Sequence, residues 1–213
     1  MNNVVKEGQK TRYILLAVLI IIVTVVIFQL SSRQEKSFRD TTVNEKVIQT
    51  KSFHVNSAST DLKTSAKGTV YVRGDNGKAE HIQIVAWIEI DSDDWGGVAF
   101  YIPDKWHVSN IISSYPDNGT RLKPADYVST WTTASGHSEW RTMIEVGRDR
   151  SYKPTGGGTG TVMIDIIPDE NGPHHPEVSK IGVEVGSNEK EGQKMMGTDS
   201  IEIPLSLADQ KYE

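Results

Sequence analysis

An unbroken apolar run, Tyr13 to Leu30 (YILLAVLIIIVTVVIFQL), constrains this chain more than any other feature. It contains no charge, no Gly and no Pro. As a helix it extends about 27 Å, close to the thickness of a bilayer's hydrocarbon core. A buried core helix would carry polar residues along one face, and this run has no such face. A cleaved signal peptide would have a shorter apolar core and small residues at its cleavage point. The exit here is Phe28-Gln29-Leu30-Ser31-Ser32-Arg33. The run therefore predicts one retained N-terminal transmembrane helix, with a cleaved signal as the alternative. Flanking charge gives no orientation, because Lys6, Lys10 and Arg12 precede the run while Arg33, Lys36 and Arg39 follow it. The tail 1–12 is assigned to the cytoplasm, since a long domain behind a first hydrophobic segment is commonly translocated whatever its flanks. The expected location is the cell membrane, single-pass, with the C-terminal part extracytoplasmic.

Beyond the run the chain is acidic. The whole sequence has 23 Lys+Arg and 28 Asp+Glu, of which Lys6, Lys10, Arg12 and Glu7 lie ahead of the run. The remainder thus carries 20 bases against 27 acids, a net of −7. That balance disfavours nucleic acid, which binds clustered positive charge, and tight docking on anionic lipid. There is no cysteine, hence no disulfide, thiolate metal site, cysteine nucleophile or lipidated-cysteine anchor. An extracytoplasmic domain without disulfides fits a prokaryotic envelope better than a eukaryotic surface.

Residues 31–50 are polar with scattered apolar positions and read as a juxtamembrane stalk. From there to about residue 210 the hydrophobic period is two. Ile82, Ile84, Ala86, Ile88 and Ile90 line one face of the clearest run. Further strands are expected at Gly68–Arg73, Val98–Ile102, Glu139–Val146, Thr161–Ile167, Val178–Val185 and Ser200–Leu207, the last at a sheet edge because Pro204 cannot donate a ladder hydrogen bond. Seven or eight strands with Gly, Pro, Asn and Asp punctuation predict an all-β fold. The expected body at 51–210 is an antiparallel β-sandwich, immunoglobulin-like or jelly-roll-like. Trp106–Ser114 reads as a short helix opening a long insertion to residue 136. The glycine-rich turn Thr155–Gly160 ahead of an alternating strand resembles cohesin-like sandwiches, a resemblance that implies a fold and transfers no residue role.

Two hairpins can be registered from shared faces. A three-residue loop at Asp75-Asn76-Gly77 would pair Val70 with Ile82 and Tyr71 with His81. A two-residue Asn-Gly turn would instead pair Tyr71 with Ile82. A turn within 92–96 would pair Ile90 with Val98 and set Trp87 opposite Tyr101. One face would then carry Tyr71, His81, Gln83, Val85, Trp87, Glu89 and Tyr101. Aromatic rings beside amide and carboxylate groups can stack on sugars or hold a partner's side chains, so Tyr71, His81, Gln83, Trp87 and Tyr101 are the expected ligand-binding residues. The competing reading is cross-strand packing under a covering loop. Trp140, on the side of Thr142, Ile144 and Val146, is expected in the core. Trp95, Trp106 and Trp131 are expected at the surface.

Asp91, Asp93 and Asp94 supply hard oxygens for a possible calcium site at a sandwich rim, although the EF-hand pattern fails where Trp95 and Ile102 would have to ligate. The alternative is a polar hairpin tip. His174-His175 lacks a third ligand at metal-site spacing. Thr155–Gly160 has no Gly-Lys-Ser/Thr ending and is not a phosphate loop. Asn118-Gly119-Thr120 is a glycosylation sequon. No linear nucleophile elbow or zinc motif is present.

The expected function is noncatalytic: an envelope-displayed binding module that meets a protein or glycan partner and is tethered to the membrane by 13–30. The alternatives are a hydrolase of envelope polymers using Glu89, Asp91, Asp93 or His107, and a scaffold subunit of a membrane assembly.

Overall fold

The computed structural model describes residues 46–76, 78–117, 127–133, 138–169 and 180–205. The chain divides into units 1–44 and 45–213, and the first lies wholly outside the described residues. The apolar run 13–30, the sequon at 118–120 and His174-His175 also lie outside them. No helix among the described residues is long and apolar enough to cross a membrane.

The described residues form ten strands and no helix. They are β1 Lys46–Asn56, β2 Ser65–Asp75, β3 Lys78–Ile90, β4 Val98–Pro103, β5 Trp106–Ser113, β6 Val128–Thr132, β7 Trp140–Val146, β8 Gly158–Pro168, β9 Lys180–Lys190 and β10 Gln193–Pro204. Two antiparallel sheets result: sheet A in the order β1-β2-β3-β8-β5, sheet B in the order β10-β9-β4-β7-β6. The fold is a β-sandwich. Strand β1 begins inside the segment read as stalk. The expected helix after Trp106 is strand β5, whose β-branched Val108, Ile111 and Ile112 pair along β8. Pro204 does lie on an edge strand, β10.

Neither hairpin has the expected register. Asp75 pairs with Lys78, so a two-residue connection joins β2 to β3, and Asn76 has φ 49° as the tight turn requires. Unaltered, that turn would set Val72 against His81. A bulge at Glu80 adds one residue and restores the phase: Val72 meets Ile82, Tyr71 meets Gln83 and Val70 meets Ile84. Strands β3 and β4 do not pair at all. The chain crosses between sheets after Ile90, and it crosses again after β4, β5, β7 and β8. At the β7–β8 crossing, Gly157 (φ 67°) lies against the Ile90–Ser92 backbone, where a Cβ would stand 2.5 Å from the Ile90 carbonyl oxygen.

The core follows from alternation. Ile82, Ile84, Ala86 and Ile88 of β3 are fully buried and meet Ile166, Ile164, Val162 and Gly160 of β8. From sheet B, Phe100, Ile102, Ile144, Ile181 and Val183 close on them. Gly160 has no side chain because Tyr115 enters the core there; a Cβ would lie 2.6 Å from the Tyr115 Cα. Trp106, expected at the surface, is fully buried, and Trp95 is nearly so. Three of the four edge strands carry a bulge, in β1 between Val47 and Gln49, in β5 between Val108 and Asn110, and in β10 between Met196 and Asp199. The fourth edge, β6, has five residues.

One polar group joins the two layers. The buried Asp94 carboxylate accepts from Thr64 Oγ1 (2.5 Å), immediately before β2 of sheet A, and from Ser187 Oγ (2.5 Å), on β9 in sheet B. It also accepts the Gly96 N–H at 2.7 Å. Removing a buried acceptor leaves its donors unpaired. Asp94→Ala is therefore expected to lower stability by about 3 kcal/mol in urea unfolding. Asp93→Ala, on the exposed tip, should stay within about 0.5 kcal/mol of the parent.

Candidate functional site

The inward commitment of Ile82–Ile90 places Tyr71, His81, Gln83 and Trp87 on the outer face of sheet A. A polar lattice already joins several of them. Gln83 Nε2 donates to Asp165 Oδ1 at 2.9 Å, His81 Nε2 lies 3.1 Å from the same oxygen, and Arg73 donates to Gln83 Oε1 at 3.2 Å. Trp87 is farther along the face, with the Lys67 ammonium 4.6 Å from its ring centroid. Tyr101 is elsewhere, on the outer face of sheet B. The expected pairing of Trp87 with Tyr101 is thus overturned: β3 and β4 belong to different sheets, and the two rings face away from each other across the sandwich.

The three aspartates do not converge on a cation. Asp94 points into the protein and binds three protein donors, while Asp93 is exposed. Asp91 accepts the N–H groups of Asp93 (3.1 Å) and Lys63 (3.0 Å), which hold its carboxyl below the usual range. Among the described residues no group of three or more His, Asp or Glu side chains is placed to hold a metal. The acid–base groups are likewise apart. His107 pairs with Asp169 at 3.2 Å, beside the β8 residue Ile167, whereas Asp91 follows Ile90, opposite Gly158 at the other end of β8. At 3.3 Å per residue the two are roughly 30 Å apart.

The outer face of sheet B brings chemistry together. Two rows cross its strands. One runs Glu202, Gly182, Tyr101, Met143, Trp131; the next runs Ser200, Glu184, Ala99, Glu145, Ser129. A bulge opposite Ile102–Pro103 inserts Arg141 into β7 and turns Trp140 outward beside Pro103, which corrects its expected core position. The Tyr101 and Trp140 rings then lie 5.7 Å apart at an angle of 54°. Between them Gly182 contributes only backbone; a Cβ there would stand 3.1 Å from Tyr101 Cβ and 3.4 Å from the Trp140 ring. The result is a groove of about 300 Å³ walled by Tyr101 and Trp140, with Glu184, Ser200 and Glu202 on its β9–β10 side.

Beside the groove runs a buried ionic network. In the second row the small Ala99 separates Glu184 from Glu145, and the Arg148 guanidinium bridges those two carboxylates at 2.8 and 3.1 Å. Its Nε donates to the Gly96 carbonyl at 2.5 Å. Burial works against this charge, but Glu184 and Glu145 outweigh it and hold the guanidinium pKa above the usual value. Glu145 also accepts from Trp131 Nε1 (2.5 Å) and from Arg150 Nη2 (2.8 Å) and Nε (3.1 Å). Arg150 lies 4.2 Å over the Trp131 ring and borders a second concavity of about 460 Å³. On the other flank, Lys180 Nζ pairs with Glu139 (2.7 Å) and Glu202 (2.8 Å), 5.6 Å from the Trp140 centroid.

Of these residues, sequence reasoning picked out Tyr101 for binding and Trp131 for the surface. Gly182, set between Ile181 and Val183, was the available sign, since an isolated Gly inside a strand marks a close approach. The Trp140 reversal left no sign, because a bulge is a property of two strands together.

Burial, reinforced by the neighbouring Glu184 carboxylate, raises the Tyr101 phenol well above its ordinary pKa. The unfolded chain therefore releases this proton first, at about pH 10. The stabilisation is complete below that pH and disappears as pH climbs through the folded value. Chemical unfolding above pH 10 should show a stability decline that is shallower in Tyr101→Phe. Comparison with known proteins finds no family model, no curated protein and no solved structure that matches this chain.

Proposed function

We propose that this protein is a noncatalytic recognition module that meets its partner on the outer face of sheet B, at the Tyr101–Trp140 groove. The observation that carries the reading is the close approach at Gly182. A strand residue without a side chain lets the two rings settle beside its backbone as the walls of a groove, and groups beside them are already fixed by hydrogen bonds. Pre-ordered rings lose little side-chain entropy on binding. The proposal extends to the architecture and the anchor. The nested pairs β3 with β8 and β4 with β7, in opposite sheets, favour a jelly-roll-like wrapping over an immunoglobulin-like one. The uncharged run 13–30 favours a membrane-anchored, extracytoplasmic placement.

Two experiments test this. A photoreactive benzophenone amino acid at Ser200, in the full chain in intact cells, should cross-link a surface component, and Trp140→Ala or Gly182→Val should abolish the product. The same probe at Thr161, on sheet A's outer face, should give none; the reverse pattern rejects the groove. For placement, protease added to whole cells should digest the β-sandwich. A β-sandwich that is protected in whole cells and cut only after lysis rejects the anchored topology.

A further inference from the structure

We infer that the Tyr101–Trp140 groove takes a cationic group, an ammonium or guanidinium on a partner chain, and that Lys180 fills this seat in the free protein. The inference rests on the groove being the recognition site and adds the chemistry of what it holds. Aromatic residues facing outward in this domain repeatedly carry a cation of the chain itself. Lys67 lies over Trp87, Arg150 over Trp131 and Lys194 over Tyr152. Trp140 also has one, Lys180, at 5.6 Å, the longest of these separations.

What separates Lys180 from Arg150 is how it is held. Arg150 is fixed by two hydrogen bonds to Glu145, whose side chain is 3% exposed. Lys180 is held by Glu139 and Glu202, whose side chains are 55% and 61% exposed. Ion pairs of that kind contribute about 0–1 kcal/mol and exchange readily. The position is bordered by β10, which among the described residues is the outermost strand on that side of sheet B. An incoming cation would meet two water-exposed carboxylates, the Trp140 face and, deeper in the groove, Glu184. The ring face and the carboxylates attract the same charge. The acidic surplus of the whole post-anchor segment would draw such a partner in.

The test uses the full chain in lipid nanodiscs, labelled with 5-fluorotryptophan; the resonance missing from Trp140→Phe identifies Trp140. The probes are N-acetyl-arginine methylamide, its neutral glutamine counterpart, and chitobiose. The arginine probe should shift the Trp140 resonance saturably, less so at high salt, and the glutamine probe should not. Lys180→Met should tighten the arginine probe by up to about fivefold, the equivalent of ~1 kcal/mol. Glu202→Gln should weaken it. If chitobiose shifts Trp140 and the arginine probe does not, the groove remains a recognition site and its cationic ligand is refuted. If no probe moves Trp140, both readings fall. Unchanged affinity in Lys180→Met overturns the role given to Lys180.

Discussion

Burial of the two inner faces is the constraint from which the rest follows. In a strand with period two, every residue sent inward commits its neighbours outward. Placing Ile82, Ile84 and Ile88 in the core sends Gln83 and Trp87 to the outside of sheet A. Placing Phe100 and Ile102 inside sends Tyr101 to the outside of sheet B, and Ile181 with Val183 does the same for Gly182 and Glu184. The apolar packing therefore decides which polar groups can meet. A shift of one residue in β9 would bury Glu184 and expose Val183, dismantling both the core and the groove.

The outer face of sheet B is unusual in having its charges organised below its rings. Arg148 and Glu145 are almost entirely buried, and the desolvation of a buried ion pair offsets much of its attraction. Its clearer effect is geometric. The guanidinium fixes two carboxylates on non-adjacent strands, and through Glu145 it also fixes the Trp131 indole. Such fully paired networks restrict side chains to one arrangement. The polar lattice around Asp165 on sheet A is hydrogen-bonded too, but its strands bring no pair of rings together over a glycine as sheet B does at Gly182.

Much of the fold was legible because alternation is a local property. The isoleucines of β3, the Val162–Ile164–Ile166 series of β8 and the Ile201–Ile203 pair of β10 each reveal a strand and its inner side. Strand partnership was not legible. Ile90 and Val98 flank a short polar segment that looks like a hairpin turn, yet Asp94 anchors that segment between the layers and carries the chain across. Misreading that crossing placed Tyr101 beside Trp87. The shift of Trp140 from core to surface, and of Trp106 from surface to core, has the same origin. A bulge and a sheet crossing each depend on which strand lies alongside, and the hydrophobic pattern of one strand does not record its neighbour. Tyr101 itself was identifiable as an outward aromatic, while the residues that make its groove come from β7, β9 and β10, distant in sequence.

The irregular outer strands bear on how copies of this domain behave in company. A continuous row of free backbone N–H and C=O groups invites another chain to extend the sheet. Here the extra residues in β1, β5 and β10 break that row, Pro204 withholds a donor from one margin, and β6 is too brief to template much. Crowded side by side, these sandwiches would find no long backbone ladder to continue. Association would have to proceed through side chains on the faces, where sequence can discriminate.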